Sequence, residues 1–156
     1  MATKPETGEK LIASNKKALH DYFVLQKLEA GLALTGTEVK SLRDGRAQLK
    51  DAYVIFKDDE AFLFGAHVSP YTHGNRENHD PERTRKLLLH RKEIDKLRVQ
   101  TVEKGLSVVP LRLYFKGGRV KVEIAVVRGK KQYDKRATEK ERELDREAAV
   151  ALKNRE

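Results

Sequence analysis

The sequence predicts a mainly β protein: a small closed or half-closed antiparallel barrel with short helices set between its strands. Three observations lead there. Residues 108–127 read VVPLRLYFKGGRVKVEIAVV, two runs of alternating apolar and polar residues around Gly117-Gly118. Such alternation gives strands with one buried face, and a Gly-Gly pair admits the backbone of a tight hairpin turn. Residues 53–68 repeat the form: apolar runs Tyr53–Phe56 and Ala61–Val68 flank the polar turn Lys57–Glu60. The helical patterns between strands are short, so the helices are connectors held by packing. An open sheet covered on one face is the alternative architecture.

The elements follow in order. Residues 1–13 are polar with little pattern, and order is expected to begin near Ser14. "HDYFVLQKLEAGLAL" reads as an extended segment through its β-formers Tyr22, Phe23, Val24 and Leu25, with Gly31 free to bend it. "LTGTEVKSLRDGRA" has the punctuation of a short helix: Thr37 as N-cap, Glu38 in the positive first turn, Val39 and Leu42 on one face, Gly45 at the end. The 53–68 hairpin comes next. "YTHGNRENHDPERTR" is a long polar loop, a kind often functional in compact domains. "KLLLH" reads as a short buried strand. "RKEIDKLRVQTVEKG" reads as a helix with Ile94, Leu97, Thr101 and Val102 on one face, stopped by Gly105. The 108–127 hairpin closes the barrel. Residues 128–156 are charged, with one aromatic, Tyr133, and Leu144, Val150 and Leu152 as the only large aliphatics. That is too little apolar surface to offset the entropy of ordering the segment alone.

Composition narrows the function classes. Lys and Arg number 33 against 24 Asp and Glu, a net charge of +9. Such a surplus in a small chain favours a polyanionic partner: nucleic acid first, an anionic membrane surface second. There are no cysteines, which excludes disulfides and Cys-based zinc sites. No apolar run approaches the ~20 residues of a membrane span, and the first residues lack the apolar core of a secretion signal. A cytoplasmic protein is the simplest reading.

Enzymatic signals are poor. Of the histidines His20, His67, His73, His79 and His90, the pair His73 and His79 shares the polar loop with Asp80, but the spacing matches no metal motif. No nucleophile elbow, phosphate-binding loop or dinucleotide fingerprint is present. No metal, cofactor or catalytic residue is expected. Basic clusters are the better signal. Asn15, Lys16 and Lys17 lead into His20 and Tyr22. Arg83, Arg85 and Lys86 run from the long loop into the next strand. Arg128, Lys130, Lys131, Lys135 and Arg136 crowd the exit of the last strand with only Asp134 opposing them. Lys and Arg there would neutralise phosphates, and His20, Tyr22 and Tyr133 could stack on unpaired bases.

The stretches "GLALTGTEVKSLRDG", "EAFLFGAHVSPY", "HDPERTRKLLLHRKEIDKL" and "GKKQYDKR" resemble, in order and spacing, successive signatures of small protein B, the transfer-messenger-RNA-binding family of bacterial trans-translation. The resemblance runs from about Ser14 to Arg136 and more loosely beyond. It implies a mainly β, antiparallel barrel of the oligonucleotide-binding type over residues 14–128, with two or three short helices. It also implies a flexible segment 1–13 and a tail, 129–156, disordered in water and helical on the ribosome. It implies binding to the tRNA-like domain of transfer-messenger RNA and delivery of that RNA to stalled ribosomes as a monomer, without bond chemistry and without membrane contact. The tail would reach the decoding centre and messenger channel.

Matched onto this chain, the RNA-binding residues are Asn15, Lys16, Lys17, His20, Tyr22, Glu38, Lys40, Arg43, Arg83, Arg85, Lys86, Lys130 and Lys131. The decoding-centre residues of the tail are Tyr133, Asp134, Lys135 and Arg136. Tyr133 stands where many members have His; either ring stacks, but Tyr carries no positive charge. Glu38, an acidic residue in an RNA site, would either accept hydrogen bonds from bases or a 2′-OH, or orient a neighbouring cation. From Thr138 on, Leu144, Ala148, Ala151 and Leu152 fall at helical spacing, with Glu139–Arg142 and Glu143–Arg146 as opposite-charge pairs. The competing readings are a general RNA-binding barrel, such as a ribosomal or translation factor, and a nuclease using the His73–His79–Asp80 loop.

Overall fold

The computed structural model describes residues 9–71 and 78–154. Its strands are β1 (Lys10–Ser14), β2 (Tyr22–Leu32), β3 (Ala47–Gln48), β4 (Tyr53–Lys57), β5 (Glu60–Phe64), β6 (His67–Val68), β7 (Arg85–Leu88), β8 (Ser107–Lys116) and β9 (Arg119–Gly129). Four helices join them: α1 (Lys16–Asp21), α2 (Gly36–Arg43), α3 (Arg91–Val102) and α4 (Gln132–Asn154). Seven strands form one antiparallel sheet in the order β1-β8-β9-β2-β7-β5-β4, and β3 pairs with β6 separately. The long strand β2 makes the curl possible. It pairs with β9 from Tyr22 to Gly31, then passes to β7 at Gly31 and Leu32. The sheet bends far enough for β4 to pack against β8.

The β8–β9 hairpin turns where the sequence places it. Gly117 and Gly118 have φ of 58° and 77°, the positive angles that a right-twisted hairpin needs at both turn positions. One detail of its pattern differs. Strict alternation puts Leu111 on one face with Leu113 and Phe115. A bulge between Pro110 and Arg112 shifts the alternation by one residue. Val109 and Leu111 therefore face one side, with Ala18, Ala125 and Val127, while Val108 and Leu113 face the main core. β2 has a matching bulge between Val24 and Gln26. Tyr22 and Val24 pack on the smaller cluster and Leu28, Ala30 and Leu32 on the larger. The two bulges let one pair of long strands serve two cores, the second of which seats α1.

Other boundaries shift for physical reasons. The ordered barrel begins at Lys10, not near Ser14, because Lys10–Ser14 pairs with β8 from Phe115 to Arg112. The N-cap of α2 is Thr35, not Thr37. From Thr35, Glu38 falls at the third helical position, where its carboxylate reaches back to the Thr35 amide (2.8 Å). On α3, Ile94 and Leu97 are buried as expected, but Val102 is 75% exposed at the frayed end of the helix. The tail's helical spacing is realised as α4, which is exposed from Glu139 to Val150. No helix of the described residues is long and apolar enough to cross a membrane.

Candidate nucleic-acid interface

Helix α1 is too short to persist alone, and Asn15 fixes it. The Asn15 side chain accepts from the Ala18 amide (3.1 Å) and donates to the carbonyls of Pro110 (2.9 Å) and Leu49 (3.3 Å). Asn15 is thus buried and serves as cap and anchor, not as a surface contact. With Ala18 turned into the smaller core, Lys16, Lys17 and Leu19 are left exposed. Lys17 pairs with Asp51 across the rim of a cavity of about 390 Å³ that Tyr22 and Tyr53 also line. The Asp51 hydrogen bond raises the pKa of Lys17.

His20, at the end of α1, bridges two carboxylates: Nδ1 to Asp21 (2.8 Å) and Nε2 to Glu139 of α4 (2.6 Å). The Asp21 hydrogen bond, followed by that of Glu139, raises the His20 pKa, and His20 in turn lowers that of Asp21. Lys135 approaches Asp21 (3.6 Å), and Lys130 donates through Nζ to the Leu19 carbonyl (3.3 Å). The fold therefore unites the first and last basic clusters of the sequence on one face, through a contact that spans 111 positions of the chain. Tyr133 and Asp134 lie in the first turn of α4, and their side chains fall outside the described ones.

Sequence reasoning missed Phe23 here. Register sets Phe23 opposite Arg128, and both Arg128 and Lys130 stand over its ring at 5.2 Å. A half-exposed ring beneath two cations can offer stacking and charge together. Only strand pairing could have found it, because nothing in the local pattern of β2 marks Phe23 out.

The second group lies on α2 and β7. Glu38 and Arg85 are both fully buried. The Glu38 carboxylate receives Arg83 Nη2 (2.6 Å), Arg85 Nε and the Thr35 amide. Burial alone would push its pKa up, but the Arg83 and Thr35 hydrogen bonds and the Arg85 charge outweigh burial and lower it to about 2. Arg85 also donates to the carbonyls of Ala66 (3.0 Å), Arg83 (2.9 Å) and Pro81 (3.1 Å). Of the two roles open for Glu38, the geometry has it orienting cations: Arg83, on the loop before β7, is held half-exposed by it. Arg85, expected among the surface contacts, is instead an internal strut, because strand alternation turns it inward and Lys86 outward to Glu60 (3.2 Å). Lys40 and Arg43 stand exposed on α2, with Lys40 over the Tyr71 ring at 5.7 Å.

The loop histidines have other partners. His79 bonds Thr37 (2.9 Å) and the Val68 carbonyl (2.8 Å), which ties the loop to α2 and β6. The Asp80 side chain accepts from the Glu82 amide. His73 lies outside the described residues. Among the described residues, no group of three or more His, Asp or Glu is placed to hold a metal.

Comparison with known proteins places this geometry. The family described as "SmpB protein" matches residues 12–154, barrel and tail helix together. The SsrA-binding protein of Geotalea uraniireducens (strain Rf4) is 60% identical over 148 residues, 95% of this chain and 98% of that one. The SsrA-binding protein of Geobacillus kaustophilus (strain HTA426) is 55% identical over 152 residues, 97% of this chain and 98% of that one. A solved structure described as "tmRNA-SmpB: a journey to the center of the bacterial ribosome" superposes with a TM-score of 0.66 at 45% identity, covering 77% of this chain and 85% of that one. An antiparallel barrel, two basic groups and a charged tail helix, matched over nearly the full chain, settle the matter: the chain belongs to the SmpB protein family.

Proposed function

We propose that this protein binds transfer-messenger RNA through its tRNA-like domain and carries it to stalled ribosomes, where the RNA directs peptide tagging and release. The observation that carries the reading is that one family match spans both the α1 face and the whole tail helix. The relatives' name, SsrA-binding protein, and the ribosomal setting of the solved neighbour supply the partners. The working place is the bacterial cytoplasm. The protein acts by binding, the role that its relatives' name describes.

Within that function, Lys16, Lys17, His20, Tyr22, Lys130 and Lys131 form the main RNA surface. The lysines neutralise phosphates, and the rings meet unpaired bases. Lys40, Arg43 and Arg83 extend it on the α2 side, with Glu38 and Arg85 fixing Arg83 from beneath. Asn15 supports the surface by holding α1. Lys86, paired with Glu60, adds charge at its margin. The tail, with Tyr133, Asp134, Lys135 and Arg136 at its base, acts in the decoding centre and messenger channel. There, ribosomal phosphates would stabilise the exposed length of α4, Glu139 to Val150.

The test separates barrel from tail. Changing Asp134, Lys135 and Arg136 together to Ala should leave gel-shift affinity for the tRNA-like RNA nearly intact. Tag transfer on ribosomes stalled without a stop codon should fall sharply. Equal loss in both assays would assign the tail to the RNA surface, and no loss in either would make these residues a solvated terminus.

A further inference from the structure

The docking of α4 on α1 has no part in the function proposed above, yet it is built from several separate contacts. Glu139 and Asp21 bracket the two ring nitrogens of His20 at 2.6 and 2.8 Å. Lys135 of α4 approaches Asp21, and the Lys130 amide donates to the Asp21 carbonyl (2.8 Å) where the tail leaves β9. From Glu139 to Val150, α4 is exposed. The base of the helix is thus clamped to the barrel and the rest projects.

We propose that this His20-centred bridge is a latch that couples RNA binding to release of the tail: docked, α4 occupies His20 and covers part of the α1 face, and RNA arriving at α1 frees the helix. The proposal rests on the RNA-binding reading of α1. A neutral imidazole has one N–H and can donate to only one carboxylate; the imidazolium has two and can donate to both. The bracket of Asp21 and Glu139 is therefore built for the charged ring. The cations beside the bracket are Lys17 on α1 and Lys135 on α4, both of which act on Asp21, and Lys130 just past β9. Because the pKa of His20 is raised in the docked state, the latch is fully formed below the ordinary histidine value and is lost as pH rises through the raised one. Exposed ion bridges bias an equilibrium only severalfold, a margin that a polyanion competing for the same cations can reverse.

The chain has no cysteine, so Lys50→Cys with Ala148→Cys, both exposed, gives two defined spin-label sites, one on the barrel and one on α4. In the full-length protein a narrow label distance is expected at pH 6 and a broad one at pH 8.5. Glu139→Ala, which removes the carboxylate that holds His20 and leaves every proposed RNA-contacting side chain in place, should be broad at both. Adding the tRNA-like domain of transfer-messenger RNA at pH 6 should broaden the wild-type distribution. Glu139→Ala should bind that RNA roughly threefold tighter than wild type at pH 6, with the ratio closing to one at pH 8.5. A distance that ignores both pH and Glu139→Ala overturns the latch. So does RNA that binds without moving the labels. RNA that binds neither protein, while the labels still respond to pH, overturns the coupling through failure of the functional reading and leaves the docking itself standing.

Discussion

Replacing Glu38 with Gln keeps the side chain's size and removes its charge. The carboxylate is fully buried and takes hydrogen bonds from Arg83, Arg85 and the Thr35 amide. Gln can satisfy the Thr35 amide, but Arg85 is left as a buried cation facing only carbonyls. Breaking a buried pair on one side costs about 3–5 kcal/mol, chiefly the penalty of the stranded charge. For a chain of this length that is a fall in Tm of about 10 °C or more. A stable protein with weakened RNA binding, the outcome if Glu38 met bases or a 2′-OH directly, is therefore not expected from the fold.

The pH dependence gives a second readout. With the carboxyl held near 2 against an ordinary 4.5, the ionised group contributes its full stability above about pH 4.5 and loses it as pH falls toward 2. The gap in urea midpoint between wild type and Glu38→Gln should be widest at neutral pH and narrow steadily through that window. A double-mutant cycle with Arg85→Met should give a coupling of about 1–3 kcal/mol. If Glu38→Gln melts like wild type, with no coupling to Arg85 and yet a loss of RNA affinity, the carboxylate acts on RNA directly and the strut argument fails.

Other outcomes follow from the same contacts. Asn15→Ala removes the cap of α1 and two buried hydrogen bonds, so urea unfolding should show a loss of about 1–3 kcal/mol; a loss near zero would mean α1 is seated by Ala18 alone. Lys16→Ala with Lys17→Ala should weaken RNA binding and reduce the slope of log affinity against log salt by roughly two, about one per phosphate contact. An unchanged slope would place both lysines in solvent, and a change of about one would mean that Asp51 keeps Lys17 from the RNA.

Much of this protein is legible in the sequence because its causes are local. Alternation in 113–126, the Gly117-Gly118 turn and the Ile94–Leu97 stripe of α3 depend only on residues a few positions apart, and each is realised. The surplus of Lys and Arg points to a polyanion without any fold, since long-range charge sums over the surface regardless of arrangement. Tertiary structure decides what depends on which strand lies beside which. Only the register of β2 on β9 sets Phe23 under Arg128, and only the two bulges turn Leu111 and Val24 toward a second core that seats α1. Burial divides side chains that the sequence lists alike. Arg85 and Lys86 are neighbouring cations, yet strand alternation sends one into the core against Glu38 and the other to the surface. His20 and Glu139 are 119 positions apart and meet because α1 and the start of α4 both attach at the open end of the β2–β9 ladder. A sequence fixes each residue's chemistry; whether that chemistry faces water, a partner or another side chain is set by packing, which no local pattern encodes.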